Sequence, residues 1–376
     1  MAAVRELTVV AEQLLAPVPG GTGRYTAELL RALAATAPDG WRVRGVVARH
    51  HRTQLTAALD NALDNALDNA AGPRVLPVPR RVLAELWRRG LPWWPGGDAV
   101  HAPTPLAPPR APRGRTLSVT VHDTVPWSHP ETLTRRGVAW HRAAIATAAR
   151  HADALVVPTR AVADELAAHV TGPAPVHVIG HGPTTWPTAE PTAGPTAAGG
   201  PFVPARYVLA TGTIEPRKGI DLLVRAMVDV PDAALVLVGQ SGWGGVDVRD
   251  LADRAGLPAD RLHLLGHIPD AQLATVLRGA DVVAVPSLAE GFGLPVLEAM
   301  AEGVPVVHSD APALTEVAGG AGVRVPRGDV AALTAALCDV LTSADRRAAL
   351  GDAGRRRAAA FSWTRAAEAV WRLHSG

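Results

Sequence analysis

The chain has 376 residues, 48% of them hydrophobic and 19% charged. That length accommodates about two domains of ~100–200 residues, each large enough to bury a core. A single cysteine, Cys338, excludes an internal disulfide and a cysteine-based zinc cluster. A net charge of +2 argues against a nucleic-acid-binding protein, which shows a basic face. No apolar run reaches the ~18–20 residues of a membrane span. The stretch Met1-Ala-Ala-Val-Arg-Glu leads directly into a strand-like run without the apolar region of a signal peptide. The expectation is a soluble, cytoplasmic protein. The basic residues are unevenly chosen: of 37 Lys and Arg, Lys218 is the sole lysine, leaving 36 arginines. The skew matches the abundance of Ala and Pro that high-GC coding produces, and it makes the place of that one lysine informative.

Taken in chain order, the first half alternates strands and helices. Leu7–Ala11 is a short apolar run and reads as a buried strand. Pro17–Gly23 reads as a Gly/Pro loop, and Tyr25–Ala37 as a helix with Leu29, Leu30 and Leu33 at helical spacing. Trp41–Ala48 is the next strand, followed by Leu117–Val121 and Ala154–Pro158. From Asp60 to Ala70 the unit Asp-Asn-Ala-Leu repeats with a period of four, predicting a surface helix with Leu59, Leu63 and Leu67 on one stripe. Arg80–Trp94 mixes arginines with Leu83, Leu86, Trp87, Trp93 and Trp94. It reads either as a helix whose arginines lay their stems over apolar neighbours, or as a peripheral contact with an anionic membrane surface.

Thr184–Pro204 is rich in Thr, Pro, Ala and Gly and reads as a linker. The alternation then restarts. Strands are predicted at Tyr207–Ala210, Ala234–Val238, Leu262–Leu265, Asp281–Pro286 and Val304–Val307. Helices are predicted at Ile220–Val228, Leu251–Ala255, Gln272–Arg278, Pro295–Ala301 and Trp363–Leu373. Two doubly wound, Rossmann-like parallel-sheet domains are expected, with a cleft between them and ligands at the carboxyl ends of the strands.

Three segments carry chemistry. Gly20-Gly-Thr-Gly-Arg-Tyr25 lies between strand and helix, where backbone N–H groups and the helix dipole favour an anion. It fails the G-x-G-x-x-G spacing because Thr26 stands where the third glycine would be, and no Walker A sequence occurs. Gly212-Thr-Ile-Glu-Pro-Arg217-Lys218-Gly places a planar guanidinium and a compact ammonium side by side, a pairing suited to a diphosphate. Pro286-Ser-Leu-Ala-Glu290-Gly-Phe-Gly-Leu-Pro-Val-Leu-Glu298 sets one carboxylate in a glycine-flanked loop and a second on the following helix. Pro295 sits in that helix's first turn. Carboxylates at such positions can accept hydrogen bonds from vicinal diols of a sugar or ribose. Glu298 can equally be a charge that complements the helix dipole.

The run Glu290–Glu298 resembles the Glu-x7-Glu motif of the retaining, GT-B-fold glycosyltransferases of family GT4, also described as group 1. Nearly the whole chain shares the likeness: the glycine loop from Gly20, His101-Ala-Pro-Thr-Pro, Val121-His122-Asp123, Gly212–Gly219, Gly266-His-Ile-Pro-Asp, Leu277-Arg-Gly-Ala-Asp and Gly303-Val-Pro-Val-Val. Departures are Pro158-Thr-Arg, His181 before Gly182 where Asn is usual, and His267 where an aromatic is common. The resemblance implies that Arg217 and Lys218 hold the donor diphosphate and that Glu298 binds the ribose. Glu290 with the backbone of Gly291, Phe292, Gly293 and Leu294 would hold the donor sugar. Gly20, Gly21 and Gly212 would approach the donor, and His267 and Ile268 would meet the base. His122 and Asp123 would lie near the transferring sugar, with His122 either a base or a structural contact. No metal and no other cofactor is expected. The implied domains are an N-terminal acceptor-side domain (1–184), a linker (185–204), a nucleotide-sugar domain (205–355), and a C-terminal helix (356–376) packing back toward the first domain. The implied reaction is hexosyl transfer, preferentially mannose from GDP-mannose, to a glycan, lipid-linked saccharide or other glycoconjugate. UDP-sugar use, a nucleotide-sugar epimerase or hydrolase, and a non-catalytic binding subunit are the alternatives. The last would have lost Lys218, Glu290 or Glu298, all of which are present.

Overall fold

The computed structural model describes residues 4–50, 73–187, 203–242 and 244–375. The chain divides into two compact units, Met1–Gly182 with Ser362–Gly376, and Pro183–Phe361. The Asp60–Ala70 repeat lies outside the described residues, as does the linker segment from 188 to 202.

In the first unit seven strands form one sheet in the order β3-β2-β1-β4-β5-β6-β7. They are β1 (Arg5–Val10), β2 (Trp41–Val47), β3 (Arg74–Val75), β4 (Ala99–Ala102), β5 (Thr116–Thr120), β6 (Ala154–Val157) and β7 (Val176–Val178). The second unit has six: β8 (Tyr207–Thr211), β9 (Ala234–Val238), β10 (Leu262–Gly266), β11 (Val282–Val285), β12 (Val306–Ser309) and β13 (Val323–Val325). Their order is β10-β9-β8-β11-β12-β13. Every pairing is parallel. Helices cover parallel sheets on both faces, which explains near-continuous apolar strands such as Ala234-Leu-Val-Leu-Val, buried throughout. The strand order reverses between β1 and β4 in one unit and between β8 and β11 in the other. Crevices of doubly wound sheets open at the carboxyl ends of such pairs.

The sequence placed Pro17–Gly23 in a loop, but the first helix runs Gly20–Ala35 and takes in all three of its later glycines. Gly20 enters with φ +58°, a conformation that favours glycine, and a side chain at Gly23 would run into Pro19. The helix therefore begins where composition alone suggested a turn. Arg80–Arg88 is a helix with Leu83 and Trp87 buried, and Arg88 and Arg89 both pair with Glu85. Val82 and Leu91 are left exposed there. The last helix, Trp363–Arg372, buries Ala367, Val370 and Trp371, and the Trp371 indole N–H donates to the Leu33 carbonyl of the first helix at 3.2 Å.

β5 departs from the apolar rule. Leu117 and Val119 alternate with Thr116, Ser118 and Thr120, and the polar face meets His101 of β4 and His374. Ser118 Oγ is 2.8 Å from His101 Nδ1 and 2.7 Å from His374 Nε2. His374 Nδ1 lies 2.7 Å from Thr116 Oγ1. His101 Nε2 lies 3.4 Å from Thr120 Oγ1, which contacts the Tyr25 hydroxyl at 3.1 Å. Burial costs such groups little when each is hydrogen-bonded. It holds both imidazoles neutral, His101 at a pKa of about 3 and His374 at about 4.

Candidate functional site

In the second unit the loops after β8 and β11 meet at the strand-order reversal. Leu288 N–H donates to the Arg217 carbonyl at 2.8 Å. Gly219 has φ +66°, and a side chain there would run into the Pro286 carbonyl, so glycine lets the two loops touch. Arg217 and Lys218 sit in a single 3-10 turn, Pro216–Lys218. Lys218 Nζ donates to Glu290 Oε1 at 2.6 Å, and Ser287 Oγ donates to the same oxygen at 2.8 Å. Arg217 Nη1 donates to the Ala289 carbonyl at 2.6 Å and reaches Glu290 Oε2 at 3.3 Å, while Nη2 lies 3.6 Å from Glu215.

Burial by itself pushes the Glu290 carboxyl upward. The charges of Lys218 and Arg217, with hydrogen bonds from Lys218 and Ser287, outweigh it and hold the group at about 2. Glu290 is therefore an anion that orders two cations. With Glu215 included, the cluster is formally neutral. An incoming polyanion is met by ammonium and guanidinium donors already fixed in place, so little side-chain entropy remains to be lost on binding.

The next helix starts beside this cluster. Gly293 precedes it with φ +91°, Leu294–Glu302 is helical, and Pro295 occupies the first turn. The free N–H groups of a helix start add to the anion preference of the neighbouring cations. Glu298 is buried on this helix and accepts a hydrogen bond from the Thr184 hydroxyl. Phe292 is buried and packs edge-on against Phe361 at 5.7 Å, so between Gly291 and Leu294 it is Phe292 that anchors the loop. Gly212 follows β8 with φ +124°, and a side chain on Gly239 would strike its carbonyl, which brings the ends of β8 and β9 close. At the end of β10, His267 is exposed and Ile268 buried.

In the first unit, Gly20 and Gly21 form the opening turn of the first helix, at the carboxyl side of β1. His122 and Asp123 follow β5. The His122 Nε2 atom lies 2.7 Å from the Pro103 carbonyl, which can only accept, so Nε2 carries the proton. Burial lowers the pKa of this imidazole, with the Pro103 bond and Asp123 acting against it. The neutral ring thus has Nδ1 as its acceptor. Asp123 Oδ1 accepts from the Val125 N–H at 3.1 Å and opens the next helical turn. Tyr25 packs edge-on against His122, with centroids 4.7 Å apart, and lies 4.6 Å from His181. His181 stacks on Trp363 at 5.5 Å and 14°.

The structure brings Arg217, Lys218 and Glu290 together with Ser287, which the sequence reading quoted without a role. Glu298 is joined by Thr184, which that reading put at the start of the linker. Tyr25 and His181 surround His122. No local spacing marks Thr184, Tyr25 or His181, because each reaches its partner across the fold. Ser287, three residues before Glu290, is the one that sequence proximity could have suggested.

Two family models match the chain: Glycosyltransferase Family 4 over residues 19–185, and Glycosyl transferases group 1 over residues 199–357. The chain belongs to this family of glycosyltransferases. Among its relatives is the O-antigen chain mannosyltransferase B of Escherichia coli, 38% identical over 162 residues, covering 42% of each protein. The chain spans about two fifths of the length of the curated relatives it matches first. Two solved structures share the fold over 98% of both chains. Sucrose-phosphate synthase from Thermosynechococcus elongatus has a TM-score of 0.74 at 24% identity, and Anabaena HepE in complex with UDP-glucose has a TM-score of 0.69 at 18%. The expected GT-B architecture of two Rossmann-like units is what the structure has. Among the described residues, no helix is long and apolar enough to cross a membrane.

Proposed function

We propose that the protein is a sugar-nucleotide-dependent glycosyltransferase that moves a hexose, with retention, from a nucleoside diphosphate to an acceptor hydroxyl. The observation that carries this reading is the Arg217–Lys218–Glu290 cluster beside the helix start at Leu294. Retention needs no protein nucleophile here. The C1–O bond to the donor phosphate breaks, the acceptor oxygen bonds C1 on the same face, and the acceptor proton passes to a donor phosphate oxygen. Arg217, Lys218 and the helix start offset the charge that develops on the departing diphosphate. This neutralisation is metal-free. Glu298 accepts from the ribose, the Glu290 loop from Gly291 to Leu294 lines the sugar, and His267 and Ile268 meet the base. His122, with Nδ1 as acceptor, contacts the transferring sugar.

The donor we favour is GDP-mannose, supported by the mannosyl transfer named for the Escherichia coli relative. The acceptor class is a glycan or lipid-linked saccharide. The exposed Val82 and Leu91 among arginines support peripheral contact with the inner face of the membrane. A UDP-sugar is the second reading, and the UDP-glucose complex of the Anabaena neighbour favours it. A panel of common nucleotide sugars, each incubated with the purified protein with and without acceptor, tests the proposal. Release of nucleoside diphosphate from GDP-mannose alone is expected. Isothermal titration with tighter binding of UDP than GDP would overturn the donor assignment, and epimerised donor would overturn the transferase reading.

A further inference from the structure

The first unit contains a buried polar chain that ends against His122. It runs Thr116–His374–Ser118–His101–Thr120–Tyr25, each link a hydrogen-bond contact of 2.7 to 3.4 Å. Both imidazoles are neutral, so each has one donor and one acceptor nitrogen, and each hydroxyl has one proton. Two directions satisfy the chain internally. If protons point toward Tyr25, its phenol hydrogen has no acceptor among the described residues. If they point away, Tyr25 donates to Thr120, Thr120 to His101 Nε2, His101 Nδ1 to Ser118, Ser118 to His374 Nε2, and His374 Nδ1 to Thr116. Thr116 is half-buried and can release its own proton to water. Every buried donor is then used, so this direction is favoured. The phenol is pinned, and the Tyr25 ring with it.

That ring stands edge-on to His122 at 86° and tilted to His181 at 44°. His122 Nε2–H on the Pro103 carbonyl fixes one point of the imidazole but leaves it free to swing about that bond. Tyr25 occupies the space into which it would swing. We propose that Tyr25 is a positioning residue for His122, holding the imidazole on Pro103 so that Nδ1 is left to accept a hydrogen bond from a substrate hydroxyl. This rests on the reading of His122 as the group that contacts the transferring sugar. Among the described residues the groups facing His122 are Tyr25 from the first helix, His181 from the segment after β7, the Pro103 carbonyl from the segment after β4, Asp123 beside it, and, through its electrostatic interaction, the neutral His101 of β4. Asp123 in turn interacts with His141 of the helix Arg135–His151. His181 is itself held neutral by burial and by His122, so among the described residues the formal charge acting on the ring is that of Asp123.

The test separates ring from hydroxyl. Protein labelled with 15N-histidine reports the tautomer and titration midpoint of His122 directly, without any substrate. Wild type and Tyr25→Phe are expected to show Nε2–H with a midpoint below 6.5, the phenylalanine ring standing in for the phenol ring. Tyr25→Leu opens the site to water: the midpoint moves up toward 6.5 and the tautomers mix. In transfer assays, Tyr25→Leu should lower kcat by about ten- to a hundred-fold, the scale of a misplaced catalytic contact. The donor KM should be unchanged, and Tyr25→Phe should stay close to wild type. If Tyr25→Leu does not fold, Tyr25→Met, which fills the volume without a flat ring, takes its place, and a mixed His122 tautomer is expected. A folded Tyr25→Leu, or failing that a folded Tyr25→Met, whose His122 spectrum matches wild type would overturn the proposal. A wild type that transfers from no nucleotide sugar would overturn the functional reading, while the spectra still decide the positioning.

Discussion

Acidification should destabilise the first unit before most carboxylates protonate. His101 and His374 are buried on the polar face of β5, with pKa values of about 3 and about 4 against an ordinary 6.5. Well above 6.5 both states of the chain carry neutral imidazoles, and the two histidines add no pH dependence. As pH falls below 6.5 the unfolded chain takes up protons that the folded chain refuses. Stability is therefore lost through this window, and the loss stops growing once the folded values near 4 and 3 are passed. From about pH 7.5 to about pH 5 each histidine removes about 1.5 pH units' worth of free energy, or about 2 kcal/mol, so the pair removes about 4 kcal/mol. That is a large share of a domain stability of ~5–15 kcal/mol. Of the ten tryptophans only Trp186 and Trp243 lie outside the first unit, so urea unfolding followed by tryptophan fluorescence reports chiefly on it. His374→Gln, which keeps a donor and an acceptor near Ser118 and Thr116, should remove its own share of the loss, about 2 kcal/mol, while His101 and the buried His122 and His181 of the same unit keep theirs. An unfolding free energy that stays level across that pH range, or a slope that His374→Gln leaves intact, would refute the reasoning.

Lys218→Ala should abolish most turnover, and it removes one of the two cations facing buried Glu290. A loss of about 3–5 kcal/mol in the second unit is expected from a broken buried pair, discounted by whatever Arg217 takes over, and thermal unfolding measures it. Lys218→Arg should keep that stability better than Ala yet still raise the donor KM, because a longer planar group cannot repeat the 2.6 Å contact to Glu290 Oε1. Thr184→Val leaves the buried Glu298 carboxylate without that hydroxyl; a loss of about 1–3 kcal/mol and weaker nucleotide binding by titration calorimetry are expected. Gly182→Ala drives a methyl into the Trp363 backbone and ring, so limited proteolysis should cut within the final helix.

The parallel sheets were legible because their strands are short apolar runs, and Ile220–Val228 and Ala234–Val238 match their observed bounds residue for residue. The first helix was misplaced at its start because Gly20, Gly21 and Gly23 have low helix propensity, whereas in the fold Gly23 is required for the close approach of Pro19. β5 was legible as a strand from Leu117 on, but the partners of its polar face were not. Thr116-Leu-Ser-Val-Thr alternates like a strand with one face in water, yet the polar face is buried, because His101 and His374 complete its hydrogen bonds from 17 and 256 residues away in sequence relative to Ser118. Partners that distant leave no local pattern.

The candidate site divides in the same way. Arg217 and Lys218 are adjacent and Glu290 sits between glycines, so composition exposed them. That Glu290 is held by both cations, and by Ser287, depends on the loops after β8 and β11 touching at Gly219 and Pro286. Arginine replaces lysine at every other basic position of this chain, so a compact ammonium at 218 needs a local reason. The structure supplies one: Glu290 Oε1 already receives the Ser287 hydroxyl at 2.8 Å, and the remaining approach at 2.6 Å admits a single tetrahedral N–H group. Arg217, wider and planar, is used where a fork is wanted, spanning the Ala289 carbonyl, Glu290 and Glu215. The two cations differ because the surfaces they neutralise differ, and exchanging them should fail in both directions.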